Sequence, residues 1–281
     1  MGTALSLRPL GEALGTEVLG ADLGPGLDDA TFAAIENIFA DHPVLVFRDQ
    51  QLDATALAAL GQRFGRPQPH YLTNYRHPDH PMVSFITNVN AEGGVDKFGV
   101  YRASTWHADE TYETELPRLA ILHALEMPAS KGGTMFANMY AAYETLPTAM
   151  KEKLAGLTGL HGRTDGPDAR NIYEPEHIRA INAGHPERRH PAVKPHPVTG
   201  RPVLFVNPTH THGFEGMDSE EAVRLIEELR DHATQDRFVY YHSWRVGDVV
   251  IWDEIATMHK SAGDARPEER RVMIRTIVHP Y

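Results

Sequence analysis

The 281-residue chain contains no cysteine. Disulfides, thiolate metal sites and cysteine nucleophiles are therefore excluded, and the absence fits a reducing compartment. Long apolar runs are also missing: no stretch approaches the length that spans a bilayer. The first residues, Met1-Gly2-Thr3-Ala4-Leu5-Ser6-Leu7-Arg8-Pro9, lack a basic start followed by an apolar segment, so the expected location is cytoplasmic. Basic residues are outnumbered, 27 Lys and Arg against 38 Asp and Glu, for a net charge of −11. Such a balance disfavours loose binding to nucleic acid or anionic membranes, but it leaves room for a small anionic substrate in a locally basic pocket. With 41% hydrophobic and 23% charged residues, the chain can bury a sizeable core, so disorder is excluded.

Short apolar runs recur along the chain and are bounded mostly by Gly, Pro or Asp. They predict strands at Val44–Phe47, Val83–Ile86, Leu119–Leu125, Val203–Val206, Phe238–Tyr241, Val249–Trp252 and Val272–Val278. Helical spacing appears at Thr31–Ala40 (Phe32, Ile35, Phe39), Ala54–Phe64 (Leu57, Leu60, Phe64) and Ser219–Ala233 (Val223, Ile226, Leu229, Ala233). In the last of these, Asp218 is the expected N-cap and Glu221 completes a capping-box pattern. Between about 162 and 200 the chain turns polar and rich in Pro, His and Arg, which predicts a lid or an excursion. No repeat or interdomain linker is visible. The expected architecture is one domain over 1–281, mainly β with peripheral helices around a double-stranded β-helix, or jelly roll.

Chemistry concentrates in Trp106-His107-Ala108-Asp109. On an extended strand, residues i and i+2 point the same way, so His107 and Asp109 can aim an imidazole and a carboxylate at one point. Two His and one carboxylate on one face of an ion, with other positions open, is the non-heme iron(II) oxygenase arrangement. A His-x-Asp pair alone is weak in a chain with 17 His. Further along, an apolar run, Val249–Trp252, leads through a polar turn to His259, and a second run carries Arg271, Met273 and Arg275 on one face. Two guanidiniums aimed together call either for anionic ligands or for surface carboxylates. The pattern alone leaves both open.

The chain resembles the TauD/TfdA family of taurine dioxygenase and dichlorophenoxyacetate dioxygenase. The matching stretches run in family order: Val44-Leu45-Val46-Phe47-Arg48, Phe64-Gly65, Trp106-His107-Ala108-Asp109, Pro128 with Gly132-Gly133-Thr134, Ala141-Ala142-Tyr143-Glu144-Thr145-Leu146, Val249–Asp253 with His259, and Arg270–Arg275. The resemblance implies a dioxygenase dependent on Fe(II) and 2-oxoglutarate, with His107, Asp109 and His259 as metal ligands. It implies that Thr134 and Arg271 hold the distal carboxylate of 2-oxoglutarate, with Arg270 as a rival to Arg271. Arg275 and His70 match substrate-contacting positions, which points to a small anionic organic substrate bearing a carboxylate, sulfonate, sulfate or phosphonate. The resemblance further implies that O2 is consumed and succinate and CO2 are released, and that hydroxylation beside oxygen or sulfur leads to C–O or C–S cleavage. A carboxylate at Asp109 argues against halogenation. A homo-oligomer, dimer or tetramer, is expected.

Three departures stand out. Glu254 follows Trp252-Asp253 where the family often carries Asn, and the His259-to-arginine spacing is one residue longer than in taurine dioxygenase. No Asn precedes Trp106, so taurine itself is disfavoured. His185, His190 and His196 are expected on a solvated loop; His210 and His212, after the Val203–Asn207 strand, are expected on a solvated turn, the alternative being the pocket mouth. Tyr71, Tyr75, Tyr101 and Tyr112 are expected to line the pocket or pack beside it, and Trp106 and Trp252 to enclose the ligands. Desaturation or tailoring of a biosynthetic intermediate, a non-enzymatic jelly-roll binding module, and a zinc hydrolase are the alternative functions.

Overall fold

The computed structural model describes residues 5–70, 72–129, 131–163, 166–170 and 186–281. In chain order its elements are β1 (Ser6–Pro9), β2 (Thr16–Leu19), α1 (Asp29–Asp41), β3 (Val44–Phe47), α2 (Ala54–Phe64), β4 (Arg66–Gln68), β5 (Ser84–Thr87), α3 (Lys97–Tyr101), β6 (Leu119–Glu126) and β7 (Thr134–Asn138). They continue with α4 (Met139–Glu144), α5 (Thr148–Leu154), β8 (Thr158–His161), α6 (Pro167–Arg170), β9 (Arg188–Pro191), β10 (Val193–Pro195), β11 (Pro202–Leu204), β12 (Thr211–Phe214), α7 (Ser219–Ala233), β13 (Val239–His242), β14 (Val249–Asp253), β15 (Thr257–Ser261) and β16 (Val272–His279).

The large sheet runs β1-β2-β3-β14-β6-β16-β4, with β5 also on β16; a second sheet runs β13-β7-β15. All named pairs are antiparallel except β2 with β3. The two sheets face each other as the layers of a jelly roll. Val44, Val46, Ala120, Leu122, Val250, Trp252, Met273 and Ile277 point inward to meet Phe136 and Tyr240 from the opposite layer. The alternate residues Leu45, Phe47, Ile121, Val249, Ile251, Ile274 and Val278 point outward and are covered by Phe32, Ile35 and Phe39 of α1 and Leu57, Leu60 and Phe64 of α2. Both faces of these central strands are dry. Their sequences therefore read as unbroken apolar runs rather than alternations.

Each long helix starts on an aspartate that accepts early backbone N–H groups: Asp28 from Thr31, Asp53 from Ala56, Asp218 from Glu220 and Glu221. Glu221 pairs with Lys153 at 3.4 Å. The buried stripe of α7 is Ala222, Leu225, Ile226, Leu229 and Ala233, rotated slightly from the predicted one, so Val223 is only half-buried. Of the expected lid at 162–200, residues 164–165 and 171–185 lie outside the described residues. Its later part forms β9 against β8 and β10 against β11.

Candidate metal and cosubstrate site

β15 delivers His259, and the turn before it is fixed by Asp253. One oxygen of Asp253 accepts the N–H groups of Ile255 and Ala256, both at 2.8 Å, and its backbone carbonyl accepts Thr257 Oγ1 at 2.6 Å. Its other oxygen accepts His196 Nε2 at 2.9 Å. His196 Nδ1 accepts from Val198 and Thr199, so the proton sits on Nε2. The expectation of a solvated His196 is thus corrected: the ring is 5% exposed and braces the turn that presents His259.

His107 exchanges both backbone hydrogen bonds with His259, N–H to carbonyl, at 3.0 and 2.7 Å. This is an isolated bridge, not the extended strand predicted through 107–109. The chain turns immediately, with Glu110 at φ +56°. Asp109 nonetheless stays beside its neighbour: Oδ1 is 3.6 Å from His107 Nε2. His107 Nδ1 donates to the Thr105 carbonyl at 2.8 Å, which leaves the Nε2 lone pair for the cavity. Ligand atoms of His107, Asp109 and His259 lie within 4.8 Å of one another, and the two rings are 4.3 Å apart. Trp252 encloses the group, with its ring 4.9 Å from that of His259. Trp106 is likewise buried.

Electrostatics favour a cation here. Burial holds His259 well below the ordinary imidazole range, helped by the His107 ring nearby. Burial would push the Asp109 carboxyl upward, but Arg275, His259 and His107 together hold it below the usual carboxylate range. A neutral imidazole and an ionised carboxylate are the forms that bind a metal. The donor set therefore fits a divalent ion such as iron(II), with the open side facing a cavity of about 450 Å³.

Thr134, Arg271, Arg275 and His70 all line that cavity. Thr134 Oγ1 accepts the Trp244 indole N–H at 2.9 Å, so its own proton is available to another acceptor. Arg271 reaches the Gly132 carbonyl (3.1 Å) and Thr134 Oγ1 (3.4 Å). It makes no ion pair among the described residues, and burial with the nearby Arg102 charge pushes it down to about 10. Arg270 points the other way, paired with Glu126 on the surface at 2.7 and 3.2 Å. Arg275 donates to Asp109 Oδ2 at 2.6 Å, and its Nε is buried without a hydrogen-bond partner among the described residues. His70 is pushed down to about 3 by burial, then by Arg275 and Arg102.

Several lining residues have no motif to announce them. Arg102 follows α3, and Arg163 packs its guanidinium 5.2 Å from the Tyr112 ring. The expected solvated turn at His210 is corrected: the ring is 7% exposed and 6.3 Å from His107, pushed down to about 3 by burial. His190 is half-buried, with Nε2 2.9 Å from the Thr111 carbonyl. His212 pairs with Glu187 at 3.2 Å. Tyr71 and His185 lie outside the described residues. Tyr101 and Tyr112 line the cavity; Tyr75 packs under Arg102 at 4.4 Å.

A jelly roll carrying two histidines and a carboxylate around an open position defines the class of non-heme, metal-dependent oxygenases. The family model of the taurine catabolism dioxygenase TauD, TfdA family matches residues 6–277. An alpha-ketoglutarate-dependent 2,4-dichlorophenoxyacetate dioxygenase from Burkholderia sp. (strain RASC) is 32% identical over 261 residues, 87% of this chain and 86% of that protein. Pentalenolactone F synthase from Streptomyces avermitilis is 30% identical over 95% of this chain and 91% of that protein. Among solved structures, a taurine dioxygenase from Burkholderia xenovorans superposes with a TM-score of 0.81 at 27% identity, covering 99% of this chain and 90% of that one. The chain belongs to the TauD/TfdA family. It is an oxidoreductase, a dioxygenase dependent on iron and 2-oxoglutarate. No helix among the described residues is long and apolar enough to cross a membrane.

Proposed function

We propose that His107, Asp109 and His259 hold iron(II), that Thr134 and Arg271 hold the distal carboxylate of 2-oxoglutarate, and that the substrate is a small organic anion. The observation that carries this reading is Arg271: a half-buried guanidinium that makes no ion pair among the described residues, in the cavity of the His-Asp-His group. Asp264 is the acidic charge nearby but forms no ion pair with it, and a desolvated guanidinium gains from a directly bonded carboxylate, which a dicarboxylate cosubstrate supplies. With 2-oxoglutarate and O2, the iron centre supplies the oxidant, and the products are hydroxylated substrate, succinate and CO2.

Arg102, Arg163 and Arg275 line the same space, and among the described residues Asp109 is the acidic residue lining it. Guanidiniums lining the cavity support a carboxylate, sulfonate, sulfate or phosphonate on the substrate. One amine of Arg275 holds Asp109, and the guanidinium lines the cavity beside His70, where it can meet an anion. In this role Arg275 both steadies the ligand and sets the distance from the anion to the oxidised carbon. Similarity to the dichlorophenoxyacetate enzyme favours a phenoxyalkanoate-like carboxylate whose ether bond cleaves after hydroxylation. The likeness to pentalenolactone F synthase supports a second reading, oxidative tailoring of a biosynthetic intermediate. The absence of cysteine supports a cytoplasmic location, and family resemblance supports a homo-oligomer, which light scattering tests.

Purified protein with iron(II), ascorbate and 2-oxoglutarate is assayed for O2 uptake and succinate across phenoxyalkanoates, alkylsulfonates, sulfate esters and phosphonates. The reading expects at least one anion to accelerate succinate release with matching substrate loss. Slow succinate release that no anion stimulates contradicts the substrate class. Absence of 2-oxoglutarate turnover contradicts the site assignment.

A further inference from the structure

Glu254 plays no part in the roles assigned above. It stands directly after β14, 1% exposed, where the family pattern often has Asn. Its Oε2 accepts the backbone N–H of Asp109 at 2.8 Å and lies 4.0 Å from His259 Nδ1. The Trp252 indole neighbours the same carboxyl. His259 Nδ1 and Glu254 Oε1 are both sealed from solvent, and neither has a hydrogen-bond partner among the described residues. Buried polar atoms are rarely left this way, because the desolvation of each goes uncompensated.

The juxtaposition joins segments far apart in the chain. Asp109 and Glu254 are 145 positions apart, and His259 arrives on β15, after the turn that Glu254 begins. A single side chain thus touches the segment that carries His107 and Asp109 and approaches the solvent-sealed Nδ1 of His259. Closing the 4.0 Å gap to hydrogen-bond length takes a shift of about 1 Å at the end of a flexible side chain. Metal-bound histidines almost always donate their other ring N–H to such an acceptor, which fixes the tautomer and the ring plane.

We propose that Glu254 is a positioning residue: its Oε2 accepts the Nδ1–H of His259 while holding the Asp109 backbone, and so locks all three ligands into one geometry with His259 Nε2 turned to the cavity. The proposal rests on the assignment of His107, Asp109 and His259 as metal ligands. What the site needs at this point is an acceptor oxygen, so an amide of the same length serves and an apolar side chain does not. Asn, a methylene shorter, cannot span both donors.

The test uses the full-length apo protein titrated with Co(II) under nitrogen, followed by ligand-field absorption, with unfolding of each apo form measured in parallel. Wild type, Glu254→Gln, Glu254→Leu, Glu254→Asn and His107→Ala are compared. Glu254→Gln is expected to bind Co(II) within a few-fold of wild type. Glu254→Leu and Glu254→Asn are expected to bind about 10–100-fold more weakly. Equal Co(II) affinity in Glu254→Leu and wild type overturns the proposal. If Glu254→Leu does not fold, equal affinity in Glu254→Asn does so. The underlying site assignment fails separately, and visibly, if wild type binds no Co(II) or His107→Ala binds it as well as wild type.

Discussion

Replacing Arg271 by Leu separates the cost of its guanidinium in the empty site from its value to 2-oxoglutarate. In the ligand-free protein Arg271 is a cation surrounded by the Gly132 carbonyl, Thr134 and the like-charged Arg102. Asp264 offsets this charge in part without an ion pair, and exchanging a desolvated charge for an apolar side chain of similar reach is neutral or stabilising by about 1–4 kcal/mol. The apo variant should therefore melt at or above the wild-type temperature. Cosubstrate binding should move the opposite way. Truncating one partner of a desolvated charge pair costs about 2–5 kcal/mol, and a loss of about 3 kcal/mol is roughly a 150-fold weaker Kd. The assay is calorimetric titration of 2-oxoglutarate into Mn(II)-loaded protein, with thermal melts of each form. Arg270→Leu is the control, since its exposed pair with Glu126 is worth about 0–1 kcal/mol. The reasoning is refuted if Arg271→Leu binds 2-oxoglutarate normally, or if Arg270→Leu is the variant that loses it.

Arg275→Leu should raise KM for an anionic substrate by at least about tenfold, the worth of a lost charged hydrogen bond, with a smaller change in KM for 2-oxoglutarate. Steady-state kinetics on the best substrate from the panel decides this, and equal effects on both constants contradict it. Acid should destabilise the apo protein early. His70 and His210 are pushed down to about 3, and His161 and His259 lie well below the ordinary value. The unfolded chain takes up protons near pH 6.5 where the folded one does not, so their contribution is complete above pH 6.5. It falls as pH drops toward about 3, by up to ~1.4 kcal/mol per pH unit for each ring. Urea midpoints at pH 7.5, 6.5 and 5.5 test this, and an unchanged midpoint contradicts it. His196→Ala should cost about 1–3 kcal/mol by stranding a buried oxygen of Asp253, read as a lower urea midpoint. A midpoint matching wild type would show that Asp253 holds its turn unaided.

The central strands were legible because both their faces are buried. Val44–Phe47 and Val249–Trp252 read as short apolar blocks, and β3 and β14 occupy those positions. The His-x-Asp spacing and the arginine parity were also readable, since each depends on residues two or four apart. Parity favours Arg271 over Arg270, and Arg271 lies in the cavity while Arg270 pairs outward with Glu126. What the spacing did not reveal was backbone context: 107–109 is a bridge followed by a turn, so the carboxylate reaches its place by a sharp bend rather than a pleat. His196, His210, Arg102 and Arg163 were hidden for a different reason. They sit in polar, irregular segments whose composition reads as solvated, and their burial comes from strands distant in sequence. His196 meets Asp253 across 57 positions, a contact with no local signature. Glu254 was legible only as a departure from the family's Asn.

The most direct test of the site is an anomalous-difference map at the iron edge from crystals grown anaerobically with iron(II) and 2-oxoglutarate. One peak per chain is predicted, at about 2.0–2.2 Å from His107 Nε2, a His259 ring nitrogen and an Asp109 oxygen, with the distal carboxylate of 2-oxoglutarate against Thr134 and Arg271. A peak lacking any one of those three ligands, or iron bound elsewhere in the chain, contradicts the account.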